Sequence, residues 1–191
     1  MLLELITLIL ILLALWIAWG AYSILQTPRV HYFVKERRGP IEIREYPASR
    51  IIKAQGNNEN DSFRILAAYI FGRNRSASSI AMTAPVKVAM TAPVRVQRNE
   101  MAFYLPKEYL KKTPPTPLDK RVHIERITAR TLGVICFSWY ATPARIQKKS
   151  EILRRSLKDY KKLSDAFMLY YNDPWTPPFM RRNEVAIEIK T

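Results

Sequence analysis

The sequence predicts an α+β domain joined to a single N-terminal transmembrane helix. The first observation behind this prediction is a run from Leu5 to Leu25 that contains no charged residue. The second is the pattern of the remaining chain, which runs strand, strand, helix and strands, and then repeats that order. Strands and helices grouped in this way are typical of α+β folds. The predicted units are an anchor at residues 1–28, a basic linker at residues 29–40 and a domain at residues 41–191.

The apolar run has the length and the composition of a membrane span. As a helix, its 21 residues would measure roughly 31 Å, which matches the hydrocarbon core of a bilayer. Trp16, Trp19 and Tyr22 lie toward its C-terminal end, and such amphipathic rings favour the membrane interface. The run therefore predicts a helix that crosses the membrane.

A secretory signal peptide and a buried core helix are the alternatives for this run. A signal peptide begins with basic residues and has a shorter apolar stretch, whereas this N-terminus carries Glu4 and neither Lys nor Arg. A core helix that is apolar all round is rare in a small domain. We therefore expect a signal-anchor. Basic residues follow the run and none precedes it, so the positive-inside tendency predicts a single-pass membrane protein with its domain in the cytoplasm.

The part of the chain after the anchor is strongly basic. All 31 Lys and Arg residues lie there, together with every acidic residue except Glu4, and the whole chain has a formal charge of +15. Such a surface attracts anions, and for a tethered domain anionic lipid headgroups are the simplest partner. General solubility is the second interpretation. Nucleic-acid binding is not expected, because the chain has no recognised nucleic-acid motif.

The first half of the domain is predicted to contain two strands and a helix. Apolar and charged residues alternate from Ile41 to Tyr46, and Arg50–Gln55 predicts a second strand. The helix should be capped at Asn60 or Asp61 and should stop at Gly72. Apolar residues spaced i, i+3, i+4 and i+7 give this helix one apolar face. That face consists of Phe63, Leu66, Ala67 and Ile70.

A tandem repeat follows the helix. Ala81–Val88 and Ala89–Val96 both read AMTAPV, then a basic residue, then Val. Because the period of eight is even, both copies would present the same residues to the same face of an extended chain. Pro85 and Pro93 cannot donate hydrogen bonds to a sheet, so edges, bends or bulges are expected at these positions.

Five strands, a loop and a second helix are predicted beyond the repeat. The helix is expected from about Ala144 to Leu163, with a narrow apolar stripe and a densely basic exposed side. The loop is the Pro- and Thr-rich stretch at residues 111–118. Cys136, the single cysteine, lies in an apolar run and is expected to be buried. The strands are expected at Met101–Leu105, Arg121–Ile127, Arg130–Trp139, Phe167–Tyr171 and Glu184–Lys190.

Three tracts, in this order along the chain, resemble the SOUL/haem-binding protein family. They are IEIREYP at Ile41–Pro47, SIAMTAPV at Ser79–Val86 and NDPWTPPFMRRNEV at Asn172–Val185. Weaker matches are FYLPKEY at Phe103–Tyr109 and VHIERITARTLGV at Val122–Val134. The resemblance implies a distorted antiparallel β-barrel of two pseudo-symmetric halves, flanked by two helices.

The third tract is the most specific of the three. It combines prolines, a tryptophan and an Arg-Arg-Asn-Glu run within fourteen residues. Trp175 and its prolines are interpreted as a structural loop. Arg181, Arg182 and Glu184 are expected to form ion pairs that set the last strand.

The resemblance also implies a ligand, haem or a related porphyrin, in an apolar cleft beside the first helix of the domain. A porphyrin is a flat apolar disc with two carboxylates, so apolar walls rimmed by arginines suit it. Carried onto this chain, the expected site comprises Phe63, Arg64, Leu66, Ala67, Ile70, Arg73, Met82 and Met90. For each the alternative is structural. The apolar side chains can be ordinary core contacts, the methionines can fill gaps, and the arginines can be solvated charges.

This chain departs from the family at one position. Some members are thought to ligate haem iron through a histidine in the tract that matches Ile41–Pro47, where this chain has Glu45. The two histidines, His31 and His123, lie too far apart along the chain for metal-ligand spacing. We therefore expect tetrapyrrole binding without a strong axial histidine, and we predict no metal site.

The expected function is that of a membrane-anchored, non-enzymatic binder or carrier of haem or a related tetrapyrrole. The sequence has no G-x-S-x-G, HExxH or paired-histidine site. An enzyme on the same fold would have to draw on Glu45, Tyr46, Tyr104 and Glu184, which all have structural interpretations. The other alternative is a membrane-surface module that binds anionic lipid through the basic side of the second helix.

Overall fold

The computed structural model describes residues 1–27, 29–75 and 100–190 in full, and residues 91–97 by their backbone. These parts of the chain form three α-helices, one β-sheet and two short 3-10 turns. The helices are α1 (Leu2–Gln26), α2 (Glu59–Ile70) and α3 (Pro143–Ser156). The strands are β1 (Phe33–Arg38), β2 (Ile41–Tyr46), β3 (Ser49–Gln55), β4 (Thr91–Gln97), β5 (Glu100–Tyr104), β6 (His123–Ile127), β7 (Arg130–Phe137), β8 (Lys161–Lys162), β9 (Phe167–Tyr170) and β10 (Asn183–Lys190).

All the strand pairs of the sheet are antiparallel, which confirms the predicted α+β class. The strand order is β1-β2-β7-β10-β9-β4-β5-β3-β6, and β8 pairs with β10 beside this path. The order strand, strand, helix, strand, strand occurs twice, as β2-β3-α2-β4-β5 and, apart from the short β8, as β6-β7-α3-β9-β10. Within the described residues, β1 and β6 are the two ends of the path. Closure into a barrel and symmetry of the halves therefore stay predictions.

The main core lies on the face of the sheet that packs against α2 and α3. Alternation along β2 places Ile41 and Ile43 on this face, where both are buried. Gly133 of β7 lies under Leu157, the residue that caps α3, and a Cβ atom at Gly133 would come 2.5 Å from Leu157 Cδ1. The end of α3 can approach the sheet this closely because this position has no side chain. Other core residues are Ile52, Leu66, Phe103, Ile135, Leu153 and Ile187.

The opposite face of the sheet carries a second, smaller apolar cluster. Val30 and Tyr32 pack against it, so the segment that follows α1 forms part of the domain. β1 also lies inside the segment predicted as a linker, and it pairs with β2. Its side chains are mostly exposed and lack an apolar alternation, which explains why no strand was predicted here. The cluster itself consists of Tyr46, Leu132, Val134, Phe167, Leu169, Tyr171 and Ala186.

The N-terminal end of α2 differs from the prediction, and its C-terminal end agrees with it. Asn58, and neither Asn60 nor Asp61, is the N-cap, and its side-chain oxygen accepts a hydrogen bond from Asp61 N at 2.9 Å. Asp61 lies in the first turn, where a carboxylate interacts favourably with the helix dipole. The predicted stop at Gly72 is confirmed, because Gly72 adopts a φ of 106° directly after the C-cap.

The second helix of the domain is shorter than predicted. Thr142 caps α3 and Pro143 is its first residue, but the helix ends at Ser156, seven residues before Leu163. Leu157 and Tyr160 continue the apolar spacing, yet they lie in a turn that returns the chain to the sheet. There β8 pairs with the end of β10. The basic side of α3 is exposed as expected, for instance at Lys148, Arg154 and Arg155.

Two further predictions concern single strands. The bulge expected at Pro93 is confirmed, because the register between β4 and β5 shifts between Thr91 and Val94. The first copy of the repeat lies outside the described residues. The burial predicted for Cys136 is wrong, because Cys136 is exposed. It lies on the face of β7 that turns away from the main core, beside charged side chains.

Among the described residues, α1 is the helix that is long and apolar enough to cross a membrane. The interpretation as a core helix is wrong, because residues 1–19 are all exposed. The C-terminal half of α1 nevertheless contacts the domain. Gly20 is buried against Pro177 and Met180, and Trp16 Nε1 donates a hydrogen bond of 2.7 Å to the carbonyl of Trp175.

Candidate ligand cavity beside α2

A cavity of about 660 Å³ lies between α2 and the segment that leads into β6. This volume is in the range of small-molecule sites, and the cavity is open to solvent on one side. The walls combine apolar side chains with charged groups at the margin. The described lining residues are Asp61, Arg64, Ile65, Ala68, Tyr69, Arg73, Leu118, Asp119 and Arg121.

One side of the cavity is a stripe of α2. Asp61, Ile65 and Ala68 are spaced i, i+4 and i+7, so they follow one another along one face of the helix. Ile65 is buried in the main core and borders the cavity, whereas Arg64 beside it is exposed. Gly72 then ends the helix and brings Arg73 to the same margin.

The other side of the cavity is the loop predicted at residues 111–118 and the turn that follows it. Several hydrogen bonds fix this loop to the end of α2. Tyr69 Oη donates to the carbonyl of Pro115 at 2.8 Å, and Arg75 N donates to the carbonyl of Thr116 at 2.9 Å. Asn74 is bridged to Pro117 as well. These bonds hold Leu118 and Asp119 opposite the helix.

The margin of the cavity carries three guanidinium groups and two carboxylates. Arg121 binds Asp119 with two hydrogen bonds, of 2.7 and 3.0 Å. This contact holds the pKa of Asp119 at about 2, well below its usual range. Arg64 approaches Asp61 more loosely, at 3.5 Å. Arg73 has no ion-pair partner in the described parts of the chain, so the margin has a surplus of positive charge.

The residues predicted for the site fall on two different faces of α2. Arg64 and Arg73 line the cavity, as a rim would require. Leu66 and Ile70 belong to the main core instead. Phe63 is 42% exposed and packs edge-on against Phe103, away from the cavity lining. Ala67 is half-buried, while Met82 and Met90 lie outside the described residues.

The stripe of α2 predicted from the apolar spacing is therefore the one that faces the sheet. The cavity side of α2 contains Ile65, Ala68 and Tyr69, which the apolar spacing did not single out. Ile65 and Tyr69 also belong to the main core, so the two stripes overlap. Leu118, Asp119 and Arg121 were missed because they come from a loop about fifty residues further along the chain. Nothing in their local pattern indicates that this loop folds back onto α2.

Neither histidine reaches this cavity. His31 and His123 are both exposed, and His123 borders a separate cavity of about 480 Å³ together with Lys53, Glu100 and Arg121. In the described parts of the chain, His, Cys, Asp and Glu side chains form no group of three that could hold a metal ion.

A model of the family described as SOUL heme-binding protein matches residues 27–188. This chain belongs to the SOUL haem-binding family. The match begins well before Ile41 and so includes β1 as part of the SOUL domain. Heme-binding protein 2 of Homo sapiens is 30% identical to this chain over 159 residues, which are 77% of each protein.

Solved structures with the same fold include two proteins from Listeria innocua. An uncharacterized conserved protein has a TM-score of 0.53 at 10% identity, and it covers 85% of this chain and 94% of its own. A protein described as a hydrolase has a TM-score of 0.52 at 12% identity, with 87% and 95% covered. At such identities the likeness shows the fold alone.

The third SOUL tract contributes a buried carboxylate, Glu184, on the face of the sheet opposite α3. Its side chain is fully buried and accepts hydrogen bonds from Arg44 at 2.9 Å, Arg182 at 2.5 Å and Tyr171 at 3.0 Å. Cys136 Sγ lies 3.1 Å from the same carboxylate. The predicted ion pair between Arg182 and Glu184 is confirmed, whereas Arg181, predicted to join it, binds the carbonyls of Thr176 and Pro174 instead.

This buried cluster holds strands together. Arg44 comes from β2 and Glu184 from β10, on either side of β7. Burial, and then the Glu184 charge, raise the pKa of Tyr46 to about 12. The side chain of Cys136 is exposed overall, but its Sγ lies against the cluster, where loss of hydration and then the Glu184 charge raise its pKa to about 11. Since every oxygen of the carboxylate has charge-assisted partners, Glu184 acts as a structural anion at the centre of the sheet.

Proposed function

We propose that this protein is a membrane-anchored binder of haem or a related tetrapyrrole, and that the cavity beside α2 holds the ligand. The observation that supports the proposal is an apolar cavity with three arginines at its margin in a chain of the SOUL haem-binding family. The arginines outnumber the two carboxylates of the margin. After the ion pairs Arg64–Asp61 and Arg121–Asp119, the guanidinium of Arg73 is left to bind one carboxylate of a porphyrin.

The lining suits the porphyrin ring better than it suits the iron. Ile65, Ala68 and Leu118 offer apolar contact to a flat ring. The described lining contains no His, Met or Cys. Burial raises the pKa of Tyr69 to about 12, and its hydroxyl already donates to Pro115. A protonated, engaged phenol is a poor axial ligand, so the proposed binding relies on the ring and its carboxylates.

Titrations of the full chain in nanodiscs of neutral lipid test this proposal. Haemin and metal-free protoporphyrin are added separately, and empty nanodiscs provide the background for the absorbance and tryptophan quenching. Both ligands should bind saturably and with similar affinity, because the described lining offers no axial ligand. Binding of neither ligand, or of haemin alone, contradicts the proposed mode.

Arginine variants locate the site. Arg73→Gln and Arg121→Gln should each weaken binding by about tenfold or more, the usual value of a charge-assisted hydrogen bond. Arg126→Gln removes the same charge from an exposed position of β6 outside the cavity lining, and it should leave the affinity unchanged. Equal losses of affinity in all three variants would show that the arginines act only through the overall positive charge of the domain.

We further propose that α1 remains on the mature protein as a single-pass anchor. The contacts of Trp16, Gly20 and Ser23 with the loop at Asp173–Met180 support this, since a cleaved signal peptide would not pack on the mature domain. Basic residues after α1 favour a cytoplasmic domain. Intact mass and carbonate extraction of the expressed protein test retention. A soluble product that lacks α1 would refute it.

Binding of anionic lipid by α3 is a second candidate function. The exposed basic residues of α3 and the following turn support it. Nanodiscs with and without anionic lipid would report the contact as protection of α3 amides from hydrogen exchange. Equal exchange in both lipids would remove this candidate.

A further inference from the structure

The loop between β9 and β10 contacts α1 along one stripe of the helix. Trp16 Nε1 donates to the carbonyl of Trp175, Gly20 faces Pro177 and Met180, and Ser23 Oγ donates to Asp173 Oδ2. The spacing i, i+4, i+7 places these contacts on one face over roughly 10 Å of the helix axis. The loop is thus fixed alongside the anchor helix, at the depth of Trp16 to Ser23.

The length of the free part of α1 decides how deep this loop must lie. Residues Leu2 to Leu15 project beyond the loop, and they measure about 21 Å as a helix. A bilayer core is roughly 30 Å thick. A helix that crosses it must therefore bury about five to seven further residues, which takes the membrane past Trp16 and to Gly20. The loop bonded to Trp16 would then enter the bilayer as well.

The loop has exposed aromatic side chains, which suit a position at the bilayer interface. Trp175 is 75% exposed and Phe179 is 45% exposed. The neighbouring turn after β7 adds Trp139 and Tyr140, which are 53% and 56% exposed. Trp139 holds a φ of 71°, a conformation that costs free energy for a bulky residue. Tryptophan, tyrosine and phenylalanine favour the zone between headgroups and acyl chains.

The backbone of the loop is also adapted to a medium with few hydrogen-bond partners. Pro174, Pro177 and Pro178 have no N–H group. The N–H groups of Trp175 and Thr176 both donate to Asp173 Oδ1, at 2.7 and 2.9 Å. Lipid tolerates irregular backbone only where its polar groups are satisfied internally.

The carbonyl groups of the loop have partners too. Arg181 donates to the carbonyls of Thr176 and Pro174, at 2.8 and 2.5 Å. Trp139 N donates to the carbonyl of Pro178 at 2.9 Å, which ties the two aromatic turns together. An exposed surface loop in water would not need this degree of internal bonding.

We propose that Trp139, Tyr140, Trp175 and Phe179 form an aromatic face that inserts into the interfacial zone of the bilayer crossed by α1. The proposal rests on the proposed anchor function of α1. The face makes the domain a second membrane contact and holds it at a fixed tilt beside its anchor, with the lipid bilayer itself as the partner.

Depth-dependent quenching by brominated lipids tests this on the full chain in liposomes. Three single-tryptophan variants are needed, each with the other tryptophans replaced by Phe. One retains Trp16 and reports α1, and one retains Trp175 and reports the aromatic face. The third carries Leu163→Trp as the control. Leu163 is exposed and is bonded to Glu188, five residues along β10 from Asn183, so it lies roughly 17 Å from the aromatic end of that strand.

Trp175 should show a blue-shifted emission that is quenched by lipids brominated near the headgroup, as for side chains held at the interface. The indole of the Leu163→Trp control should be unquenched. Quenching of Trp16 together with a Trp175 that behaves like the control would overturn the aromatic face and leave the anchor intact. An unquenched Trp16 would overturn the anchor and the face together.

Discussion

At the scale of single residues, the buried Glu184 cluster is the feature whose energetics are clearest. Arg44 and Glu184 are both essentially inaccessible to solvent and 2.9 Å apart. Removing one partner of a buried pair costs about 3–5 kcal/mol, and because Arg44 keeps Glu42 as a partner at 2.7 Å, we expect the lower end, about 3 kcal/mol. Glu184→Gln should therefore lower the free energy of unfolding by that amount, measured by urea denaturation in detergent.

Glu45→Gln is the matched control for Glu184→Gln. Glu45 is the neighbour of Arg44 on β2, and its ion pair with Lys35 is half-exposed on both sides. Exposed pairs contribute about 0–1 kcal/mol, so this variant should be nearly as stable as the parent. Similar losses of unfolding free energy in the two variants would show that Glu184 contributes no more to stability than an exposed charge does.

Cys136 illustrates how the same cluster controls reactivity. The side chain is exposed overall, but its Sγ lies 3.1 Å from Glu184, where loss of hydration and the carboxylate charge raise its pKa to about 11. A raised pKa keeps the thiol protonated at neutral pH, and the reactive thiolate appears only as the pH approaches that value. Alkylation by iodoacetamide at pH about 8 should be roughly a hundredfold slower in the folded protein than in urea. Equal rates would contradict the raised pKa.

At the scale of elements, the sequence predicts best where one face is buried and the pattern is local. The alternation in β2 gives its bounds correctly, and Gly72 gives the end of α2. Prediction failed where tertiary contacts override spacing. Leu157 and Tyr160 extend the helical pattern of α3, yet the pairing of β8 with β10 ends the helix earlier.

The candidate cavity was predicted only in part for a related reason. Its arginines on and after α2 could be named, because a rim beside that helix was expected. The wall at Leu118–Arg121 depends on hydrogen bonds from Tyr69 and Arg75 to distant carbonyls. Such backbone contacts leave no trace in residue spacing, so the loop had no predictable partner.

The junction of α3 with β7 offers a test at this scale. Gly133→Ala would place a methyl group 2.5 Å from Leu157 Cδ1, and overpacking of this kind costs about 1–3 kcal/mol. The double variant Gly133→Ala, Leu157→Ala removes the clash. In that background the added methyl should cost less, or stabilise, since it fills the cavity that Leu157→Ala creates. Strictly additive losses would contradict the contact.

At the scale of the whole molecule, one face of α1 joins the proposed anchor to the SOUL domain and to the proposed aromatic face. Gly20 is the critical position, because a Cβ there would lie 2.5 Å from Pro177 Cδ. Gly20→Val should separate the loop from α1 while leaving an apolar helix that still enters the membrane. Ala18→Val adds bulk two residues away, on an exposed face, and is the matched control.

The two variants distinguish a domain docked on α1 from a domain that is only tethered by it. With Gly20→Val, quenching of Trp175 by brominated lipid should fall toward that of the control position, while quenching of Trp16 persists. With Ala18→Val, both signals should be retained. The contact with α1 sets the depth of the loop in the bilayer, whereas the exposed aromatic rings give the loop its affinity for lipid. Undocking removes the contact with α1 and leaves the aromatic rings in place. A Trp175 signal unchanged by Gly20→Val would mean that the aromatic rings alone hold the domain on the bilayer.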